Sequence, residues 1–268
     1  MDMNELTAQP ELVHFVPIAT TILSAVFCGI LLRRYRQRKS GPHLLWWAGG
    51  IACYGLGTAM ESMITLMGNS PALNKAWYIA GALLGGYPLA QGSVYLLLNR
   101  RTAHVLTALT VPFIIIFSLL VAFSPVNAEA LQLYRPSGEI LGWSWIRKFT
   151  PIINTYAVFF LIGGAMLSAI RYAQKSGTGN RAVGNALIAF GALLPAIGGG
   201  MTKFGYVEWL YVCEFLGLLF IWAGYACCVA VPREKFSFMT AVELCPTAAV
   251  TGDGSRHAAT RSRTRSAY

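Results

Sequence analysis

Charge is what this chain has least of. Asp, Glu, Lys and Arg make up 12% of its 268 residues, about half the roughly 25% usual for soluble domains. With 55% apolar residues, such a chain cannot cover its own apolar surface in water, which excludes an ordinary soluble domain. The net charge of +10 does not point to nucleic acid, because the basic residues stand in short clusters between apolar runs.

Catalytic signatures are missing as well. There is no HExxH, no GxSxG, no P-loop and no Asp-rich motif, so no nucleophile–base pair or metal-hydrolase site can be assembled. The four histidines, His14, His43, His104 and His257, fall at the ends of apolar runs or in the tail. The six cysteines, Cys28, Cys53, Cys213, Cys227, Cys228 and Cys245, show neither CxxC nor Cys/His spacing; they read as small apolar residues rather than a disulfide or metal framework. No enzyme activity, no cofactor and no metal are expected. Residues 1–14 lack a basic segment before the first apolar run, so a cleaved signal peptide is not expected.

What is present is a series of apolar runs near 20 residues, the length that crosses ~30 Å of hydrocarbon. Seven are expected: 15–32, 44–67, 77–98, 105–123, 152–170, 183–201 and 209–231. The expectation is an all-α polytopic membrane protein with a seven-helix domain over 15–231. A short segment, 1–14, precedes it, and a basic tail, 232–268, is expected to be disordered. Pro17, Pro88, Pro112 and Pro195 lie inside the runs, where membrane helices tolerate them. Residues 124–149 form the longest connection, read as an interfacial outer loop, in which Pro136-Ser-Gly138 between two short alternating runs is compatible with a small hairpin.

Basic residues set the orientation. Of the 21 Lys and Arg, 16 fall on one side of the predicted bilayer and five, Lys75, Arg135, Arg147, Lys148 and Lys203, on the other. By the positive-inside rule the N-terminus is outside and the C-terminus cytoplasmic, in a bacterial inner membrane. Arg33, Arg34, Arg36, Arg38 and Lys39 form a juxtamembrane cluster that anchors topology and attracts anionic lipid headgroups.

Within the runs, two carboxyl groups stand out: Glu61 and Glu214. An ionisable side chain at the bilayer centre costs on the order of 2.5–3.5 kcal/mol on insertion scales, so each needs a partner or a use. Both are expected in the outer half. At 100° per residue, Trp47, Gly50, Tyr54, Gly57, Thr58 and Thr65 share the Glu61 face, and Tyr211, Leu218, Trp222 and Tyr225 share the Glu214 face. Tyr87 and Tyr95 share a face with Gln91. Ala189, Ala192, Ala196, Gly199 and Lys203 share the Asn185 face, a smooth one suited to close helix packing. Two readings stay open: the carboxyl groups are satisfied structurally, Glu214 by Lys203, or Glu61, Glu214, Tyr54, Tyr211, Gln91, Trp222, Tyr87 and Lys203 line a ligand pocket open to the outside.

The order of features resembles the seven-helix N-terminal membrane domain of bacterial sensor histidine kinases. The residues that carry the resemblance are Glu61 late in a Trp-rich second helix, Asn74-Lys-Ala-Trp-Tyr78 and Tyr95-Leu-Leu-Leu-Asn-Arg-Arg101. Pro112, a tryptophan-bearing outer loop and Ala192-Leu-Leu-Pro195 complete the pattern. The resemblance implies a sensor-like input module that binds a small or lipidic ligand. No kinase or cyclase domain follows the seventh helix in this sequence, so output through a separate signalling partner is expected. The alternative is a transporter or channel for protons, cations or small metabolites, which would need a polar path to the cytoplasm. A rhodopsin-like reading is set aside, because residues 209–231 hold no lysine for a retinal Schiff base.

Overall fold

The computed structural model describes residues 11–38 and 41–230; the expectations for the tail and for Lys39 fall outside them, as do the side chains of Arg38 and Lys203. All seven predicted runs are helical. The first is a 3-10 turn, Leu12–Phe15, running into α1 (Val16–Arg38), and the second is α2 (Pro42–Met67). The third is composite: α3 (Pro71–Trp77), a π-helical turn over Tyr78–Leu83, and α4 (Tyr87–Leu97). Next come α5 (Arg100–Phe123) and another composite rod, α6 (Thr150–Ala157), a π turn over Val158–Gly163 and α7 (Gly164–Ala173). The last two are α8 (Gly179–Met201) and α9 (Val207–Val229).

Five helices are long and apolar enough to cross a membrane: Leu12–Gln37, Arg100–Phe123, Ser144–Ala173, Gly179–Met201 and Val207–Val229. The two rods outside that set have physical reasons to differ. Helix α2 carries Trp46, Trp47, four glycines, Tyr54 and Glu61, which lower its hydropathy. The third rod is broken around residues 84–86. Both are deeply packed; α4 buries Tyr87 through Val94 without interruption. A helix shielded from lipid by its neighbours can carry polar groups that a lipid-facing helix cannot. Helix α5 shows the converse, exposing Leu109, Ile115, Ile116, Leu119 and Phe123, a surface suited to acyl chains and not to water. The fold is thus all-α and of multi-pass membrane type.

Glycines set the registers. Lipid tails are as apolar as leucine, so helices in a bilayer associate through close packing rather than through hydrophobic exclusion. Helix α8 places Gly184, Gly191 and Gly198 at seven-residue spacing against α9. A Cβ on Gly184 would lie 2.6 Å from the Gly224 carbonyl oxygen, one on Gly191 2.6 Å from that of Gly217, and one on Gly198 2.9 Å from the Leu210 Cα. This stripe is a different face from the Asn185–Ala189–Ala196 face expected to do the packing. The same logic joins α2 to the third rod. Gly50 meets Leu89, and a Cβ on Gly57 would lie 3.1 Å from the Gly81 Cα. Two contacts in antiparallel register predict the next layer, which pairs Glu61 with Trp77.

The connection over 124–149 is not a hairpin. It folds as three 3-10 turns, Ala128–Ala130, Gly138–Ile140 and Ser144–Lys148, with one isolated antiparallel bridge between Val126 and Leu141. Side chains from the α2–α3 turn compete for its backbone. Asn69 Nδ2 donates to the Gln132 carbonyl at 3.0 Å. Asn74 Nδ2 donates to the Ser137 carbonyl at 2.7 Å, and Asn74 Oδ1 accepts from Ser137 N at 3.0 Å. Backbone groups held by asparagines are not free to form a ladder. Ile140, Leu141 and Ile146 are buried beneath the loop. The end of the bundle that carries this loop is called the loop end below.

Candidate functional site

The register of α2 against the third rod delivers the expected pair at the loop end. Trp77 Nε1 donates to Glu61 Oε1 at 2.8 Å, with Glu61 wholly buried. Gly57 makes this possible: a Cβ there would lie 3.1 Å from the Gly81 Cα and 3.3 Å from its nitrogen, so only glycine lets α2 approach the third rod at this level. A charge-assisted N–H donor is the strongest single partner a buried carboxylate can have from a neutral side chain.

The second carboxyl arrives from α9. Tyr54 Oη on α2 donates to the Glu214 main-chain carbonyl at 2.9 Å, tying α2 to α9 one and a half to two turns below Glu61. The side chains of Glu61 and Glu214 lie close enough to interact electrostatically. Two carboxylates have no donor between them, so a hydrogen bond joining them would require a shared proton or a donor brought from outside.

Above the pair sits Tyr211, fully buried, one turn of α9 towards the loop end and within electrostatic reach of Glu61 and Glu214. The His14 ring packs edge-on to it at 5.7 Å. His14 is held by Thr65, whose hydroxyl donates to the His14 carbonyl at 2.9 Å. At the mouth, Arg135 from the 124–149 loop pairs with Glu208 at 2.5 Å, and His14 Nε2 lies 4.0 Å from the same Glu208 oxygen. From the surface inward the order is Arg135, Glu208, His14, Tyr211 and then the two carboxyl groups.

Among the described residues, and apart from the contact within the pair, four polar atoms in this region are buried and lack a hydrogen-bond partner: Glu61 Oε2, Glu214 Oε2, Tyr211 Oη and His14 Nδ1. Each such atom costs about 1–3 kcal/mol unless something satisfies it. A lone orphan can be an accident of packing; four around one carboxyl pair make a cluster of unsatisfied polar atoms, two of them carboxyl oxygens. Among the described residues no three His, Cys, Asp or Glu side chains gather as metal ligands.

Four of the eight residues expected to form the pocket are brought together: Glu61, Glu214, Tyr54 and Tyr211. Gln91 and Tyr87 lie elsewhere. In the Gly50–Leu89 register Gln91 is level with residue 48 of α2, about 20 Å from Glu61 along the helix. It joins a separate, satisfied network: its Nε2 donates to Thr107 Oγ1 at 2.7 Å and to the Ala103 carbonyl at 3.3 Å, and its Oε1 accepts from Tyr156 at 2.5 Å. The Tyr87 hydroxyl pairs with that of Thr110 at 2.7 Å. Trp222, eight residues from Glu214, stacks on Phe27 at 5.4 Å and belongs to the core. Lys203 ends its helix at the loop end, with its side chain outside the described residues.

Sequence reasoning missed Trp77 as a partner, and it missed His14, Thr65, Glu208 and Arg135. Phase along one helix says which residues share a face; it does not say which faces meet. Towards the other end, Phe27, Ile51, Leu218 and Ile221 form an apolar core beneath the pair. It holds a cavity of about 60 Å3 bordered by Trp47, Ser93, Ser168 and Asn185, room for roughly two waters at ~30 Å3 each.

No protein-family model matches the chain, and no curated protein matches it. The functional reading therefore rests on the geometry of the chain itself.

Proposed function

We propose that this chain is a seven-span protein of the bacterial inner membrane, N-terminus outside, with a receptor- or sensor-like binding site in its outer half. The site is centred on Glu61 and Glu214 and is reached past the Arg135–Glu208 pair. The observation that carries the reading is the meeting of two buried carboxyl groups from different helices beside the unpartnered Tyr211 hydroxyl and His14 nitrogen. A cluster with two unsatisfied carboxyl oxygens is complemented by a small ligand that brings donors, an ammonium or guanidinium group above all. Seven spans, with α2 and the third rod as the shielded inner members, accord with the 16-to-5 division of basic residues. The resemblance to the membrane domain of sensor histidine kinases agrees with such an input role.

Binding is favoured over passage by what lies inward of the pair. A transporter or channel needs a polar continuation, and Phe27, Ile51, Leu218 and Ile221 occupy that route.

The test is ligand-dependent thermal stabilisation of the purified protein against small amines and guanidinium compounds. Stabilisation lost in both Glu61→Gln and Glu214→Gln supports the site. A ligand that stabilises both variants as well as the parent overturns the assignment, and flux of that ligand in proteoliposomes would replace sensing by transport.

A further inference from the structure

A second feature lies on the outside of the bundle, away from the carboxyl pair and independent of its reading. Helices α7 and α8 enclose an apolar groove of about 320 Å3, walled by Ile162, Met166 and Ile170 on one side and Phe190 on the other, with Ala186 and Ala189 at its floor. It is several times larger than the interior cavity. It extends over the eight helical steps from Ile162 to Ile170, about 12 Å at 1.5 Å per residue, close to the depth of a single leaflet in a ~30 Å hydrocarbon core.

The groove is not uniform along its length. One end runs into the α7–α8 turn, where Arg171, Lys175 and Arg181 are all exposed. Arg181 lies over the Tyr172 ring at 5.7 Å, which holds its guanidinium at the helix ends, and the Thr178 hydroxyl donates to the Tyr172 and Lys175 carbonyls. No acidic residue occurs between Glu139 and Glu208, and among the described residues none of the three cations forms an ion pair. Other basic clusters of the chain serve orientation equally well; this one stands at the end of an apolar groove.

We propose that the α7–α8 groove with Arg171, Lys175 and Arg181 is a binding site for one anionic phospholipid. Its phosphate is held by the two guanidinium groups and one ammonium, and one acyl chain lies between Met166 and Phe190. Charge complementarity selects the headgroup, since an anion opposite three unpaired cations gains what a zwitterion does not. The floor of alanines selects the chain, since small residues leave the groove open while flanking branched and aromatic side chains supply its walls.

The experiment compares phosphatidylglycerol with phosphatidylcholine of identical chains on the purified full-length protein, with bound lipid counted by native mass spectrometry and thermal stability read in parallel. One tightly retained phosphatidylglycerol and a higher melting temperature than in phosphatidylcholine are expected. Arg171→Gln and Arg181→Gln should each weaken retention about fivefold, the effect of one basic residue near a charged surface. Ala186→Phe, which fills the groove and keeps every charge, should abolish retention of the two-chain lipid; Phe190→Ala, which removes a wall, should weaken it if the larger substitution impairs folding. Equal retention of the two lipids overturns the proposal, as does retention unchanged in Arg171→Gln and Ala186→Phe. Competition by glycerol phosphate as effective as by the intact lipid also overturns it, because the groove would then contribute nothing. A dimer that Ala186→Phe dissociates would assign the groove to a second copy of the chain instead.

Discussion

Trp77 Nε1 donates to Glu61 Oε1 at 2.8 Å from across the α2–α3 interface, and that one bond fixes where the first carboxyl of the candidate site can point. It is the outermost rung of a register whose inner rungs are Gly57 against Gly81 and Gly50 against Leu89. Trp77→Phe keeps the ring and removes only the donor, leaving a fully buried carboxyl oxygen unpaired. A loss of about 1–3 kcal/mol is expected, read as a lower melting temperature. Combined with Glu61→Gln the loss should be less than additive, because both changes act on one bond; strict additivity would show that the two residues do not interact.

Glu61→Gln and Glu61→Ala should separate charge from hydrogen bonding. A glutamine amide keeps an oxygen for Trp77 and offers an NH2 to Glu214, so the pair no longer depends on a shared proton. Stability at or above that of the parent is expected for Glu61→Gln, and a clear loss for Glu61→Ala, which opens a buried void and orphans Trp77. Equal melting temperatures for the two variants would mean that Glu61 carries no structural bond.

These relationships mark how far the sequence could be read. The helical runs follow from hydropathy and spacing: all seven are helical, and among the described residues five helices are long and apolar enough to cross a membrane. Tyr54 and Tyr211 were placed on the right faces by phase alone. Gln91 and Tyr87 were misplaced because phase carries no register: they lie on a face of polar residues, and that face turns to Thr107, Thr110 and Tyr156. The register is set by Gly50 and Gly57, whose information is the absence of a side chain. The hairpin over 124–149 failed for a related reason. Asn69 and Asn74, distant in sequence, take the backbone groups a ladder would need.

The α8–α9 seam can be tested against its neighbour on the same helix. A methyl group on Gly191 would meet the Gly217 carbonyl oxygen at 2.6 Å, whereas one on Gly199 meets nothing within 4 Å. Gly191→Ala should destabilise by about 1–3 kcal/mol, as overpacking does. Gly199→Ala should be neutral or stabilising by up to about 1 kcal/mol, through the helix propensity of alanine. Thermal unfolding in one detergent compares the two directly, and a reversed order would refute the register.

The Arg135–Glu208 pair at the mouth predicts an effect on access rather than on stability. Arg135 is 45% exposed, and exposed ion pairs contribute about 0–1 kcal/mol and fade in salt. Arg135→Ala should therefore leave the melting temperature of the unliganded protein nearly unchanged. Arg135 also bridges the loop to Glu208 beside His14, and its charge opposes the approach of a cationic ligand. Its removal should speed association of any amine that stabilises the protein, while dissociation, governed by Glu61 and Glu214 deeper in, changes less. Stopped-flow binding at two ionic strengths separates these rates. Faster association in Arg135→Ala at low salt, converging with the parent at high salt, is the expected pattern; identical rates at both would place the entry elsewhere.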